Sequence, residues 1–322
     1  MKLNLHSHLE GRVRPATAAA LAAETGVHPP EGGWERALQL ELPANLTVYL
    51  SKVAATYPFF RSHAHVARIA REAVEDAAAD GTDYLELRFG PATHARPGFD
   101  LDAVIAAACE GVAEGSSRTG IHAGVVIAAL RHHDAATNIE VARSAARFAG
   151  KGAAGFDLAG DESLYNNLAE YERPFAIARA AGLGLTCHAA EAAPGTAARE
   201  AVERFCVTRI GHGAHLAEDA ASLGWVRDRG IVVECCPTSN WYTGAIARRC
   251  DHPAKYFREQ NLKIVLGDDN PMQTKSLLSN ERHVLVDELG FTENDIRALD
   301  ETSVHAAFVE NGTRQEFISR LA

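Results

Sequence analysis

Eight short apolar runs, each closing on polar or small residues and separated by helix-like segments, constrain this chain most. They are LNLHSH (3–8), DYLELRF (83–89), HAGVVIAAL (122–130), AAGFDLAG (153–160), GLTCHAAE (184–191), VTRIGHG (207–213), GIVVECCP (230–237) and KIVLGDD (263–269). Near-continuous runs of Val, Ile and Leu read as parallel strands buried on both faces. Stretches between them, such as AAAL (18–21) and AVIAAACEGVAEG (103–115), read as helices by propensity. Eight such units in 322 residues predict an α/β fold closed as a (β/α)8 TIM barrel. No internal repeat or Gly/Ser linker divides the chain, so residues 1–322 are expected to form a single domain. The first two runs are separated by residues 9–82. Helix-like pieces there, including NLTVYLSKVAA (45–55), predict a helical lid or substrate-pocket insertion over about 28–80. An open doubly wound sheet is the alternative, but no phosphate-binding GxGxxG follows an early strand.

A formal net charge of −10 argues against a nucleic-acid backbone or an anionic membrane as partner. No apolar run reaches the 18 residues that a membrane span needs. The six cysteines show no CxxC spacing and are expected to be buried small hydrophobes in a reducing compartment. The histidine pair at residue 6 leaves no room for a leader, so a cytoplasmic location is expected.

Polar residues gather at the C-terminal ends of the runs, the face on which barrel enzymes build their sites. His6 and His8 close the first run, His188 and Glu191 the fifth, His212 the sixth, and Asp268 and Asp269 the eighth. Residues i and i+2 of a strand share a face, so His6 and His8 can grip one metal side by side. With His188 and Asp268 they make a nitrogen-rich set that suits zinc and leaves a position for water. The fourth run contains no lysine to bridge a second metal, so one ion is expected. As alternatives, Asp268 and Asp269 could cap the helix beginning at PMQTKSLLSNE, and Cys235 and Cys236 lack the spacing of a cysteine-rich zinc site. His132 and His133 read as structural. Glu86 and Arg88 read as ties between strands, and Asp157 as holding a neighbouring side chain.

In order, HSHLEG, LELRFGP, GFDLAGDE, HAAE, RIGHG, ECCPTSN with TG and HP, and GDD resemble the motifs of the adenosine deaminase family. That family belongs to the zinc-dependent amidohydrolase superfamily of barrels, and the likeness runs through the whole chain. The resemblance implies hydrolytic deamination of adenosine or a related 6-aminopurine nucleoside, with one zinc on His6, His8, His188 and Asp268. Water activated there attacks C6, Glu191 protonates N1, and His212 serves as base or electrostatic support. Asp269 meets N7, the backbone N–H of Gly160 meets N3, and Glu10 and His8 face the substrate. An amidohydrolase opening a non-purine amide or lactone is the other reading, disfavoured because carbonyl substrates need no ring-nitrogen protonation.

Four departures from the family pattern stand out. Ala190 in HAAE replaces a usual glycine, Gly267 replaces threonine or serine, with Asn270 inserted before Pro271, and Arg12 replaces a small or apolar residue. Glu10 stands where nucleoside-acting members mostly carry an aspartate that accepts from the ribose 5′-hydroxyl. Its extra methylene is worth roughly 1–3 kcal/mol of discrimination. Adenine and 5′-modified adenosines therefore stand beside adenosine as candidate substrates.

Overall fold

The computed structural model describes residues 1–321. Among these, eight parallel strands pair in sequential order: β1 (Leu3–His8), β2 (Tyr84–Phe89), β3 (His122–Leu130), β4 (Ala153–Ala159), β5 (Gly184–Ala189), β6 (Arg209–His212), β7 (Val232–Cys235) and β8 (Lys263–Leu266). Each lies within its sequence run. The seam between β8 and β1 closes through a parallel bridge, Ser7 to Asp269, and completes the TIM barrel.

Between β1 and β2 lie α1 (Pro15–Thr25), α2 (Gly33–Leu38), α3 (Leu46–Ala54) and α4 (His63–Ala79). Asn45 caps α3 by accepting from the Val48 N–H at 2.9 Å, and Ser62 caps α4 from the His65 N–H. The next barrel helix, α5 (Leu101–Thr119), packs closely on α4. A Cβ on Gly111 or Gly115 would lie 2.8 Å from the Ala70 Cβ or 2.7 Å from the Val74 Cβ. Thus α4 packs in the outer ring beside α5, and α1, α2 and α3 precede it.

An apolar filling is usual inside such a barrel, but here the interior holds a buried charged layer. Glu234 of β7 accepts from Arg88 at 2.9 Å, Arg209 at 2.6 Å and the Thr186 hydroxyl at 2.8 Å. Arg88 also reaches Asp157 at 3.0 Å, and Arg209 pairs with Glu86. These pairs satisfy otherwise costly buried charges. Below the layer, the Arg209 guanidinium lies 3.6 Å from the Phe308 ring centroid. Gly184 makes room for that ring, since a Cβ there would come within 2.1 Å of it.

Beside the upper end of β8, Glu281 accepts the Thr238 N–H at 3.0 Å and the Ser276 hydroxyl. Burial pushes it from 4.5 up to about 7. Because the folded-state value is raised, its contribution to stability is full below about pH 4.5 and is lost as pH rises through about 7. Glu281→Gln is expected to flatten that decline and to stabilise the protein at pH 8 by about 3 kcal/mol. Denaturant midpoints at pH 5 and pH 8 check this, and an unchanged pH dependence would contradict it.

Candidate active site

His6 and His8 share the inner face at the end of β1, and His188 faces them from the end of β5. The seam brings Asp269 between them: its N–H donates to the His6 carbonyl at 2.9 Å, and its carbonyl accepts from the His8 N–H at 2.7 Å. Gly267 permits this approach, because a Cβ there would lie 2.4 Å from that of His6. One donor atom from each of the four side chains lies within 4.8 Å of the others. The two Nε2 atoms of His8 and His188 are 3.2 Å apart, and Asp269 Oδ1 is 3.2 Å from His8 Nε2 and 3.4 Å from His6 Nε2. Donors around a tetrahedral ion with bonds near 2.0–2.1 Å stand roughly 3.3 Å apart, so the spacing fits a metal. His6 Nε2 is also buried without a hydrogen-bond partner. Behind the cluster, His6 Nδ1 meets Glu234 at 2.7 Å and His188 Nδ1 lies 2.9 Å from Asp157. Carboxylates in that position fix the ring orientation of metal-binding histidines.

The sequence-derived ligand set is corrected at one position: Asp269, not Asp268, joins the histidines. Both residues lie beyond the end of β8, where Asp269 takes left-handed backbone, and only its carboxylate turns toward the histidines. Asp268 turns the other way and forms a buried ion pair with Arg12, whose Nε donates to the Ser7 hydroxyl at 2.8 Å. Arg12, one of the departures from the family pattern, is therefore the partner of Asp268. Asn270, expected from the sequence as an insertion before Pro271, borders the same cavity as Asp269 and Glu191. Its Oδ1 is buried without a partner, and Gly11 makes room for it, a Cβ there falling 2.6 Å from the Asn270 Cα.

Three site residues adopt left-handed backbone: Ala190 at φ 57°, His212 at 62° and Asp269 at 57°. Such strain persists where surrounding bonds over-determine it. Glu162 supplies them after β5, accepting the N–H groups of Ala190, Glu191 and Ala192 at 3.0, 3.0 and 3.1 Å. The usual glycine at position 190 thus answers a backbone requirement, and Ala190 carries roughly 1–2 kcal/mol of strain. The turn aims Glu191 into the site. Burial first, then the Asp269 and Glu162 carboxylates, push its pKa well above the ordinary range.

His212 Nε2 lies 3.7 Å from Glu191 Oε2. Burial lowers the pKa of His212 far below its ordinary value and that of His252 to about 3, so both rings are neutral. The Ala254 N–H donates to His252 Nδ1 at 3.2 Å. His252 Nε2 then donates to Asn240 Oδ1 at 3.2 Å, and Asn240 Nδ2 to His212 Nδ1 at 3.1 Å. This polarity leaves the His212 proton on Nε2, facing the metal cluster.

His8, Glu10, Gly160, His188, Glu191, His212, Asp269 and Asn270 all border one cavity of about 130 Å³. His132, expected to be structural, also stands on its wall. Glu10 Oε1 accepts from the Gly90 N–H and pairs with His94 Nε2, both at 3.1 Å. A larger cavity of about 1000 Å³ lies at the opposite end of the barrel and contains none of these residues. Cys206 and Cys250 are exposed rather than buried, while the other four cysteines are buried as expected.

Several contributors were not anticipated: Glu162, Glu234, Asn240, His252, Ser239 and Tyr49. A carboxylate inside an apolar run was a legible signal for Glu234. The hydroxyls of Tyr49 and Ser239 donate to Asp269 Oδ2 at 2.8 and 2.5 Å. Burial and the Asp269 charge raise the Tyr49 pKa well above its ordinary value, so it remains a donor. No described helix is long and apolar enough to cross a membrane.

Solved structures with this fold include an adenine deaminase from Arthrobacter aurescens (TM-score 0.90, 23% identity, 99% of this chain and 97% of that one). Another is an amidohydrolase from Burkholderia ambifaria with bound zinc (TM-score 0.90, 24% identity, 99% and 89%). Among curated relatives, an adenine deaminase of Rhizobium johnstonii is 32% identical over 99% of this chain and 98% of its own length. An adenosine deaminase of Clostridium perfringens is 30% identical over 98% and 96%. The family model described as adenosine deaminase matches residues 1–322, and the chain belongs to the adenosine deaminase family.

Proposed function

We propose that this chain hydrolytically deaminates adenosine or a closely related 6-aminopurine nucleoside, using one zinc held by His6, His8, His188 and Asp269. The observation that carries the reading is the convergence of that cluster, a proton-bearing Glu191 and a donor-oriented His212 on one cavity. The borderline-soft, nitrogen-rich donor set favours zinc. When bound, zinc supplies Lewis acidity that brings a water pKa down toward roughly 7.

The protein's own residues supply the remaining chemistry. Glu191, kept protonated by burial, delivers its proton to N1 and so makes C6 electrophilic. His212, with its proton on Nε2, donates a hydrogen bond to the oxygen adding at C6, which favours electrostatic support over base catalysis. The Asn270 amide donates to N7, which needs a donor; an ionised aspartate could not provide one. Gly160 offers its N–H to N3. The exocyclic amine takes up the proton of the C6 hydroxyl and leaves as ammonia as the tetrahedral carbon collapses to the 6-oxo product, while the other proton of the attacking water returns Glu191 to its acid form.

The cavity wall includes the carboxylates Glu10, Asp161 and Asp269 beside the protonated Glu191 and, among the described residues, no Lys or Arg. A 5′-phosphate would meet like charge there, at a cost of several kcal/mol. This separates the chain from structural neighbours solved with GMP or IMP. Free adenine is the second reading, favoured because Gly90 and His94 already occupy one Glu10 oxygen.

Zinc content together with ammonia release from adenosine, deoxyadenosine, adenine, 5′-modified adenosines and AMP tests both readings. The expected result is a zinc-bound protein that deaminates adenosine, with AMP about 10²-fold or more poorer in kcat/KM. Metal-loaded protein that deaminates no 6-aminopurine would falsify the proposal.

A further inference from the structure

Helix α3 places Leu46, Tyr49, Leu50 and Val53 on one face, at the i, i+3, i+4, i+7 spacing of an amphipathic helix, over the cavity mouth. Leu40, Tyr49, Val53 and Tyr242 form an apolar cluster separate from the main barrel core. So small a cluster belongs to the low-stability end of a structure, where local opening is easiest. Two side-chain hydrogen bonds run from α3 to carboxylates on the cavity wall: Thr47 Oγ1 to Asp161 Oδ2 at 2.7 Å, and the Tyr49 hydroxyl to Asp269 Oδ2 at 2.8 Å.

We infer that Tyr49 is a positioning residue that couples closure of the insertion to the metal centre. The inference rests on Asp269 being a metal ligand. Asp269 Oδ1 faces the histidines while Oδ2 takes the hydroxyls of Tyr49 and Ser239; the two bonds together fix the carboxylate plane and hence the direction of Oδ1, and only the Tyr49 bond comes from α3. Outer partners of this kind are worth about 10–100-fold in metal affinity. Coupling is reciprocal: whatever the latch contributes to metal retention, bound metal returns to closure of α3.

Two variants separate the latch from simple packing. Tyr49→Phe keeps the ring and removes the hydroxyl, whereas Thr47→Val cuts the other tie without touching Asp269. Zinc affinity by chelator competition is expected to fall about 10-fold in Tyr49→Phe and to stay at the wild-type level in Thr47→Val. Amide exchange across residues 46–54 is expected to quicken when zinc is stripped from the wild-type chain. In Tyr49→Phe it should already be fast and indifferent to zinc. Wild-type zinc affinity in Tyr49→Phe, or exchange in the wild-type insertion that ignores zinc, overturns the latch. A wild-type chain that binds no zinc overturns instead the metal-centre reading beneath it.

Discussion

Glu191→Gln should lower kcat by about 10²–10⁴-fold while leaving the metal content unchanged. Gln has nearly the same shape and can still donate a hydrogen bond to a ring nitrogen, but it has no proton to release. Glu191 is not one of the four clustered donors, so its replacement leaves their chemistry intact. The turn that aims it is held through backbone N–H groups by Glu162 and survives the change. Because burial and two neighbouring carboxylates raise its pKa, the acid form extends toward neutral pH, and the wild-type rate falls as pH rises through the raised value. The residual rate of the variant should lose that alkaline limb. Steady-state kinetics against pH, with metal analysis of the same samples, check the prediction. A variant within tenfold of wild type would remove Glu191 from proton transfer.

The barrel was legible because all eight strands are buried on both faces and therefore leave continuous apolar runs. The histidine pair was legible because His6 and His8 lie two apart on one strand, a spacing that local geometry alone converts into a shared face. Asp269 was not. Which of two adjacent aspartates faces the mouth is set by the register of the residues after β8 against β1, a contact between opposite ends of the chain. Tyr49 was hidden for the same reason, since its partner lies 220 positions away. Glu162 sat in plain view within GFDLAGDE, but its role depends on a left-handed turn at Ala190 that an alanine does not advertise. The charged layer around Glu234 was half legible: Glu86 and Arg88 read as ties, and the strands they tie emerged only from the folded barrel.

Asp268→Asn and Asp269→Asn should fail in opposite ways, although the residues are adjacent and chemically identical. Asp269→Asn replaces the anionic oxygen 3.2 Å from His8 Nε2 with a neutral amide, so metal retention should collapse and turnover should fall by about 10³-fold or more. Its fold should largely survive, because the backbone bonds to His6 and His8 remain. Asp268→Asn leaves the buried Arg12 guanidinium without its charge partner, a loss typically of about 3–5 kcal/mol, yet touches no donor of the cluster. That variant should bind the metal with unchanged stoichiometry and unfold at a clearly lower denaturant midpoint. Replacing Arg12 and Asp268 together by leucine tests the pairing independently, since removing both members of a buried pair can be close to neutral where removing one is not. Metal analysis beside denaturant unfolding of the four proteins decides the matter. Loss of metal in Asp268→Asn with retention in Asp269→Asn would reverse the register and return the ligand role to Asp268.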